Sequence, residues 1–467
     1  MTKPNILLLM TDQQRADAMG CTGGWVETPN MDRIANEGVR FSNCVTNSPI
    51  CVPARLSLAT GHYPHNTGVW NHQDHTLATD AKTWTQVVRS CGYRTSLFGK
   101  THLHPTSGDL RSREHLLHAY GLDDVNEIGG PRACANCVSH MTSMWEKKGL
   151  WEKYKADLAE RSRTKRYLVR PSAVGLEDYY DVYVGQQAKG YLESYDRSEP
   201  WFCWVSFGGP HMPYDTPEPY ASKYHPDAMP SPVPFPYPGD ERKRPRGTLD
   251  DILDNRPTFD PGEEKILRAD YAGNVTLIDD QIGEILLAIE ARGELDETVI
   301  LLVSDHGEMN GDCGILAKSN FMNGAVRVPL VIRTPDTVGR SAAGKTCASH
   351  TEWFDAGPTI AELAGGEIEY PQFAKSLCPM LADPSIEHRS EAISEYGGDV
   401  MLLNHDWKIA LNKEGEAYLL FDVKNDPSEV NNLAGRADMA DVENSLKLRI
   451  LERMMESQVY TGARFAG

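Results

Sequence analysis

Short apolar runs alternate along the chain with longer periodic segments. The runs are rich in branched or aromatic residues and lie at residues 6–10, 201–207, 299–303 and 329–332. Runs of this kind, bounded by polar or turn residues, are typical of buried strands in a mostly parallel sheet. The segments with helical periodicity lie at residues 30–37, 82–91, 178–194 and 263–292. The alternation predicts an α/β layer fold, with a mostly parallel central sheet flanked by helices.

Two stretches interrupt this alternation. Residues 104–175 are rich in charge, Trp and Tyr and show no clear strand, so we expect a loop-rich insertion over the cleft. Thirteen prolines between Pro210 and Pro261 exclude regular structure from most of residues 212–262. Aromatic residues are interleaved with these prolines, which favours an ordered surface excursion over a linker.

The composition changes near Gly365. Three short apolar segments joined by polar turns follow, at residues 400–404, 407–411 and 417–421, and a helical pattern covers residues 438–457. This order predicts a smaller antiparallel sheet with one helix. We therefore expect a catalytic domain over residues 1–365 and a C-terminal α+β subdomain over residues 366–467. The C-terminal unit offers a contact surface for a homo-oligomer.

The net charge restricts the class of partner. The chain has 467 residues, of which 40% are apolar and 24% charged, as is ordinary for a globular protein. Its formal net charge of -19 argues against binding to nucleic acid or to an anionic membrane surface. An anionic substrate would need a bound cation, or a local cluster of basic side chains, to reverse the field inside its cleft.

The sequence predicts a cytoplasmic protein. No window approaches the roughly 18 apolar residues that a membrane span requires. The run at residues 6–10 is short and lacks the small-residue cleavage site of a secretory signal. The ten cysteines have no regular spacing, which is typical of reduced thiols.

One segment carries a specific chemical signal. It reads Cys51-Val52-Pro53-Ala54-Arg55 and closes with Thr60-Gly61-His62-Tyr63-Pro64. This segment resembles the sulfatase family, the formylglycine-dependent branch of the alkaline-phosphatase-like superfamily, although Ser is commoner there at the position of Ala54. The resemblance implies that a maturation enzyme oxidises Cys51 to formylglycine. The hydrate of that aldehyde supplies the nucleophile, and Arg55 stays beside it.

Two polar motifs follow predicted strands. Asp12-Gln13 comes after residues 6–10, and Asp305-His306-Gly307-Glu308 comes after residues 299–303. In open α/β sheets ligands bind beyond the carboxyl ends of the strands, so these side chains can reach a shared cation. The resemblance implies one divalent metal ion. Its implied ligands are Asp12, Gln13, Asp305 and His306, with the modified Cys51 also approaching the metal.

Two positions depart from the commonest family pattern. Many sulfatases have a second Asp where this chain has Gln13, and Asn where it has His306. An imidazole suits manganese better than calcium, so both metals stay open. The same departures resemble the subset that contains phosphonate monoester hydrolases and some bacterial aryl- and choline-sulfatases.

Shorter matches add candidate site residues. Gly99-Lys100-Thr101-His102 resembles a family motif that sets Lys100 and His102 near the reacting oxyanion. Pro210-His211-Met212-Pro213 resembles one that sets His211 near the bridging oxygen. Lys318 matches a family lysine, and Asn71 matches a substrate-binding position. Residues 420–433 resemble the sulfatase C-terminal region, so the resemblance covers nearly the whole chain.

The implied function is hydrolysis of sulfate esters. A small or aryl ester fits a cytosolic enzyme, because an undegraded polymeric glycan would not reach the cytosol. The alternative is a phosphonate monoester or phosphodiester hydrolase that uses the same site, since both substrates are tetrahedral oxyanions. A binding protein without activity would require a broken key position, and none is found. A thiol enzyme using unmodified Cys51 would leave Pro53 and Arg55 without a role.

Overall fold

The computed structural model describes residues 3–72, 75–165, 167–236, 245–339 and 341–459. Its strands are β1 (Asn5–Thr11), β2 (Val39–Val45), β3 (Arg94–Gly99), β4 (Gly108–Asp109), β5 (Asp124–Glu127), β6 (Cys137–Val138), β7 (Trp201–Ser206), β8 (Thr298–Ser304), β9 (Leu330–Arg333), β10 (Lys345–Glu352), β11 (Glu391–Tyr396), β12 (Asp399–Asn404), β13 (Trp407–Leu411) and β14 (Ala417–Asp422). Its α-helices are α1 (Pro29–Glu37), α2 (Cys51–Thr60), α3 (Pro64–Thr67), α4 (Trp84–Ser90), α5 (Glu114–Ala119), α6 (His140–Lys147), α7 (Trp151–Thr164), α8 (Tyr180–Glu193), α9 (Thr248–Asp254), α10 (Glu263–Ala291), α11 (Asn323–Val326), α12 (Ala356–Leu363), α13 (Cys378–Ala382) and α14 (Ala440–Glu456).

An eight-stranded sheet forms the centre of the molecule, in the order β10-β2-β9-β8-β1-β7-β3-β5. Strand β1 pairs in parallel with β7 on one side and with β8 on the other. Strand β9 is antiparallel to both of its neighbours, β2 and β8. The prediction of a mostly parallel central sheet is confirmed.

Helices cover both faces of this sheet, which explains its continuous apolar strands. The side chains of Ile6 and Leu8 pack towards α2, α4 and α12, whereas those of Leu7 and Leu9 pack towards α1, α8 and α10. Successive residues of a strand point to opposite faces, so a strand buried on both sides has no polar alternation. The layer architecture of helices around a sheet follows from this double burial.

The first insertion differs from the prediction. Residues 124–127 form β5, an edge strand of the central sheet, and pair in parallel with β3. Helices α5, α6 and α7 also lie between residues 104 and 175. The expectation of no strand there is wrong, because the short polar run of β5 gains its order from pairing with β3. The second insertion contains the short helix α9, and its residues 237–244 lie outside the described part of the chain.

The C-terminal region contains the predicted antiparallel sheet. Its order is β11-β12-β13-β14, and α14 packs on one face through Leu446 and Ile450. The opposite face contributes Tyr418 and Phe421 to a core shared with residues 309–326. The division at residues 365 and 366 stays a prediction. Within the described residues, no helix has the length and apolar character needed to cross a membrane.

Candidate active site

Cys51 begins α2 and faces the carboxyl ends of the central strands. Its side chain is fully buried. The Cys51 sulfur lies 3.0 Å from His306 Nε2, 3.0 Å from Lys318 Nζ and 3.7 Å from Asp12 Oδ1. Burial raises the pKa of this thiol, whereas the ammonium groups of Lys100 and Lys318 lower it. The lowering is the larger effect, so the pKa of Cys51 lies well below its ordinary value. The environment of Cys51 therefore stabilises negative charge.

The residues around α2 explain its position and ends. Proline is tolerated in the first turn of a helix, so Pro53 does not interrupt α2. Gly61 ends the helix in the left-handed conformation, with a φ of 73°. The Tyr63 hydroxyl then donates to Glu352 Oε2 at 2.6 Å and anchors the following turn. The N-cap residue, Ile50, makes no side-chain hydrogen bond to the start of α2, and the positive end of the helix dipole favours an anion beside Cys51.

Four predicted residues converge on one point. Ligand atoms of Asp12, Cys51, Asp305 and His306 all lie within 4.8 Å of one another, and all four residues are buried. His306 Nδ1 donates to the carbonyl of Gly307 at 3.0 Å, so Nε2 faces the cluster. The second nitrogen of a metal-binding histidine is commonly held in this way.

Gln13 is buried and is bonded to the same cluster through its backbone. Its φ is 70°, a conformation that non-glycine residues adopt only when their surroundings hold it. The backbone amide of Gln13 donates to Asp305 Oδ1 at 3.1 Å, and the side-chain Nε2 of Gln13 donates to Glu308. Among the described residues, the buried Gln13 Oε1 has no hydrogen-bond partner. An oriented amide oxygen without a donor fits the role of a metal ligand.

The donor set therefore suits a divalent cation. Two carboxylates, one amide oxygen and one imidazole nitrogen are available, and oxygen and nitrogen ligands of this kind are typical of such ions. Glu308 is the last residue of the motif at residues 305–308 but was not predicted as a site residue. Its carboxylate accepts hydrogen bonds from Gln13 Nε2 and from the backbone amides of Asn310 and Ala317. Glu308 thus connects the cluster to the loop of Lys318.

Arg55 lies beneath the cluster and is fully buried. Its Nε donates to Asp305 Oδ2 at 2.7 Å, and its Nη2 lies 3.5 Å from Asp12 Oδ2. Its Nη1 donates to the Lys100 carbonyl at 2.7 Å and to Ser206 Oγ at 2.9 Å. The guanidinium group thus orients both carboxylates. Ser206, the last residue of β7, gave no signal in the sequence.

Lys100 brings a second cation to the cluster. Its ammonium group pairs with Asp12 Oδ2, and its side chain is buried. Burial and Cys51 raise the pKa of Asp12, but Lys100 lowers it enough to keep it below its usual range. Asp12 is therefore ionised at neutral pH.

His102 follows Lys100 in a left-handed backbone conformation, with a φ of 58°. Burial and Lys100 hold the pKa of His102 well below its ordinary value. A buried carboxylate, that of Glu127 in β5, contacts a residue before and a residue after His102 in the chain. It accepts from the hydroxyl of Thr101 and lies 3.0 Å from His104 Nε2. Sequence reasoning missed this support, because β5 itself was not predicted.

His211 approaches from the loop after β7 and is partly buried. Its Nδ1 donates to the Met212 carbonyl at 2.6 Å, so Nε2 is the nitrogen available to the reacting groups. Burial and Lys318 lower the pKa of His211 to about 4. Asn71, in contrast, is exposed, and the neighbouring residues 73 and 74 lie outside the described part. Its role stays a prediction.

Sequence comparisons find relatives along nearly the whole chain. Residues 4–366 match the family model described as sulfatase, and residues 311–456 match that of the C-terminal part of N-sulphoglucosamine sulphohydrolase. An arylsulfatase of Clostridium perfringens is 28% identical and aligns over 98% of this chain and 96% of its own length. A choline-sulfatase of Rhizobium meliloti is also 28% identical, over 97% of this chain and 88% of its own length.

Solved structures share the fold. A phosphonate monoester hydrolase of Silicibacter pomeroyi superposes with a TM-score of 0.81 at 24% identity, covering 98% of this chain and 96% of that protein. At this identity the likeness shows the fold alone. The sulfatase model, by contrast, matches most of the chain, from the first strand to the end of the predicted catalytic domain. The chain therefore belongs to the sulfatase family and is a sulfuric ester hydrolase.

Proposed function

We propose that this chain hydrolyses sulfate esters of small alcohols or phenols, with a formylglycine derived from Cys51 as the nucleophile. The observation that carries the proposal is the surrounding of Cys51. Its sulfur lies 3.0 Å from both His306 Nε2 and Lys318 Nζ, at the start of a helix. Cations and a helix N-terminus beside one side chain favour a tetrahedral oxyanion at that place.

Asp12, Gln13, Asp305 and His306 would hold one divalent cation, calcium or manganese. When bound, the cation supplies Lewis-acid polarisation and neutralises charge on the sulfuryl oxygens. The chain itself supplies further positive charge near Cys51 through Lys100 and Lys318. Lys100 and Lys318 would bind the remaining sulfuryl oxygens, and Arg55 would hold the two metal-binding carboxylates in place.

In the first step, one hydroxyl of the hydrated aldehyde would give its proton to Asp12, whose Oδ1 lies 3.7 Å from the Cys51 sulfur. The oxygen of that hydroxyl bonds to sulfur, and the bond from sulfur to the alcohol oxygen breaks. His211, assisted by Lys318, would give a proton to the departing oxygen. The free ring has a pKa of about 4, but an anionic ester beside it favours the protonated form. Proton transfer of this kind contributes roughly 10²- to 10⁴-fold to a rate.

In the second step, the other hydroxyl loses its proton and the bond between carbon and the sulfate oxygen breaks. Sulfate leaves and the aldehyde is regenerated, so no water needs to attack sulfur. His102 would accept this proton, because its lowered pKa keeps the ring neutral. A serine or unmodified cysteine lacks the second hydroxyl and would remain as a sulfated enzyme.

Mass spectrometry of the tryptic peptide Phe41 to Arg55 tests the proposal on protein made with a competent maturation enzyme. The peptide also contains Cys44, a buried cysteine whose pKa is raised by burial, and this residue is the internal control. We expect an aldehyde at Cys51 and a thiol at Cys44. Both Cys51→Ala and Cys51→Ser should abolish turnover. An intact Cys51 thiol in an active enzyme would refute the mechanism.

Phosphonate monoester or phosphodiester hydrolysis is the second candidate. The presence of Gln13 and His306 at the metal site favours it, whereas Lys100 and His102 favour sulfate esters. Comparison of kcat/KM for 4-nitrophenyl sulfate and 4-nitrophenyl phenylphosphonate separates the two. A higher value for the phosphonate ester would make the second candidate the main activity.

Cytoplasmic location, dependence on a maturation enzyme and assembly into a homo-oligomer remain predictions from the sequence. The division into a catalytic domain over residues 1–365 and a C-terminal subdomain over residues 366–467 is likewise part of the proposal. The core shared by the C-terminal sheet and residues 309–326 supports a role for the subdomain in holding the loop of Lys318.

A further inference from the structure

Asp181, in the first turn of α8, lies behind the site and has no role in the steps above. Its side chain is fully buried. Asp181 Oδ1 accepts two consecutive backbone amides, from Gly208 at 2.7 Å and from Gly209 at 3.0 Å. These bonds join an ionisable acceptor to the segment that connects β7 with His211.

The peptide at Gly209 also contacts the metal site. The Gly209 carbonyl accepts the backbone amide of Asp12 at 2.9 Å. Asp181 therefore binds the backbone N–H groups of Gly208 and Gly209, and Asp12 is hydrogen-bonded to the Gly209 carbonyl. His211 follows two residues later, after Pro210. One short segment thus sets the backbone position of Asp12 and the approach of His211.

The packing around Gly209 leaves no room for a side chain. A Cβ atom there would collide with Asp181 Oδ2 and with Asn274 Oδ1. The Asn274 Nδ2 group donates to the hydroxyl of Tyr179 at 2.8 Å, so the amide oxygen is the end that faces Gly209. Within the described residues, neither Asp181 Oδ2 nor Asn274 Oδ1 has a hydrogen-bond partner.

Stability alone does not explain a carboxyl group at this position. Burial, with nearby Asp215 and Asp12, raises the pKa of Asp181 to about 7, although the two glycine amides lower it. The ionised group is therefore less stable here than in water. Its two short bonds to adjacent amides are the interactions that offset this penalty.

We propose that Asp181 is a positioning residue that fixes the Gly208-Gly209 segment and thereby sets Asp12 and His211 in their working positions. The inference rests on the roles proposed above for Asp12 and His211. It requires an acceptor at Asp181, not a charge. An asparagine keeps the Oδ1 acceptor, and its Nδ2 would face the unpaired Asn274 oxygen.

The test compares Asp181→Ala, Asp181→Asn and the native holoenzyme. The matched control is Asp279→Ala, because Asp279 is also buried and accepts two consecutive amides, those of Asn30 and Met31, away from the site. The first readout is kcat/KM for 4-nitrophenyl sulfate and for phenyl sulfate, whose phenolate is the poorer leaving group. The second readout is bound metal after dialysis, by elemental analysis.

We expect Asp181→Ala to lose roughly 10- to 100-fold more activity on phenyl sulfate than on 4-nitrophenyl sulfate, because proton donation to the leaving oxygen is impaired. It should also retain less metal. Asp181→Asn should resemble the native enzyme in both readouts, and Asp279→Ala should leave the ratio of the two activities unchanged. Equal loss on both esters with native metal content would overturn the inference.

Gly209→Ala provides a second route if Asp181→Ala yields no folded protein. The added methyl group would displace the Asp181 carboxyl group and should produce the same change in leaving-group dependence. A folded Gly209→Ala with the native ratio and native metal content would refute the positioning role. If the native enzyme hydrolyses no sulfate ester, the proposed function fails. Metal retention of the variants still decides the role of Asp181 in that case.

Discussion

Replacement of Arg55 by methionine would remove the cation that holds the two carboxylates proposed to bind the metal, those of Asp12 and Asp305. Arg55 is fully buried and donates to Asp305 Oδ2 at 2.7 Å, with Asp12 Oδ2 at 3.5 Å. Methionine fills a similar volume without charge. In the metal-free protein, Asp305 would then lose its main cationic partner, and Asp12 would retain Lys100.

The expected loss of stability follows from this geometry. Removal of one partner from a buried ion pair destabilises a protein by about 3 to 5 kcal/mol, because a buried charge is left unpaired. A bound divalent cation takes over part of this role, since it is attracted to the same carboxylates. It also no longer meets repulsion from the guanidinium group. Arg55→Met and the native protein should therefore differ less in their free energy of unfolding when manganese is saturating. We expect the difference to shrink by about 1 kcal/mol or more.

Urea unfolding, with and without manganese after chelator treatment, measures this difference. The matched control is Arg333→Met. Arg333 is also buried, and it donates to Glu37 at 2.8 Å and to two backbone carbonyls away from the site. The loss of unfolding free energy in Arg333→Met should be the same with and without manganese. A loss below about 1 kcal/mol for Arg55→Met, or an equal loss in both conditions, would refute the electrostatic reasoning.

Three further changes test other parts of the site. Asp305→Asn removes a ligand charge and should lower the metal content measured after dialysis; an unchanged content would argue against its role as a ligand. Glu127→Ala removes the acceptor of Thr101 and should lower kcat about tenfold or more with little change in KM, whereas Glu127→Gln should lose less; native kinetics in both would exclude this support for His102. Burial and Asp215 raise the pKa of Asp270 to about 7, so its neutral form stabilises the fold at low pH and this contribution is lost as the pH rises towards 7. Asp270→Asn should therefore gain about 2 to 3 kcal/mol relative to the native protein between pH 5 and pH 8, and a parallel dependence of unfolding on pH would contradict this assignment.

The candidate site residues could be predicted from local sequence. Cys51, Arg55 and the polar residues after β1 and β8 lie in short motifs whose spacing is fixed by one helix or one strand end. The strongly apolar strands β1, β7 and β8 were also predictable, because burial on both faces requires continuous apolar runs. These features depend on a few adjacent residues, so a linear pattern is sufficient to identify them.

Other parts of the fold depend on partners that are distant in sequence. Strand β5 has an ordinary polar composition, and it is ordered by pairing with β3. Glu127 acquires its role only because this pairing places it next to Thr101 and His104. Propensity alone does not predict such strands, since their stability comes from neighbouring strands.

Short motifs and apolar runs along the chain are sufficient to predict the family, the layer architecture and the set of candidate site residues. The groups that orient these side chains are known only from the folded structure. Ser206 and Glu308 support Arg55 and Gln13 across more than 150 residues of chain, and Asp181 reaches Gly208 from a separate helix. Hydrogen bonds of this kind need two groups within about 3 Å, and that closeness exists only after the sheet and its helices have packed.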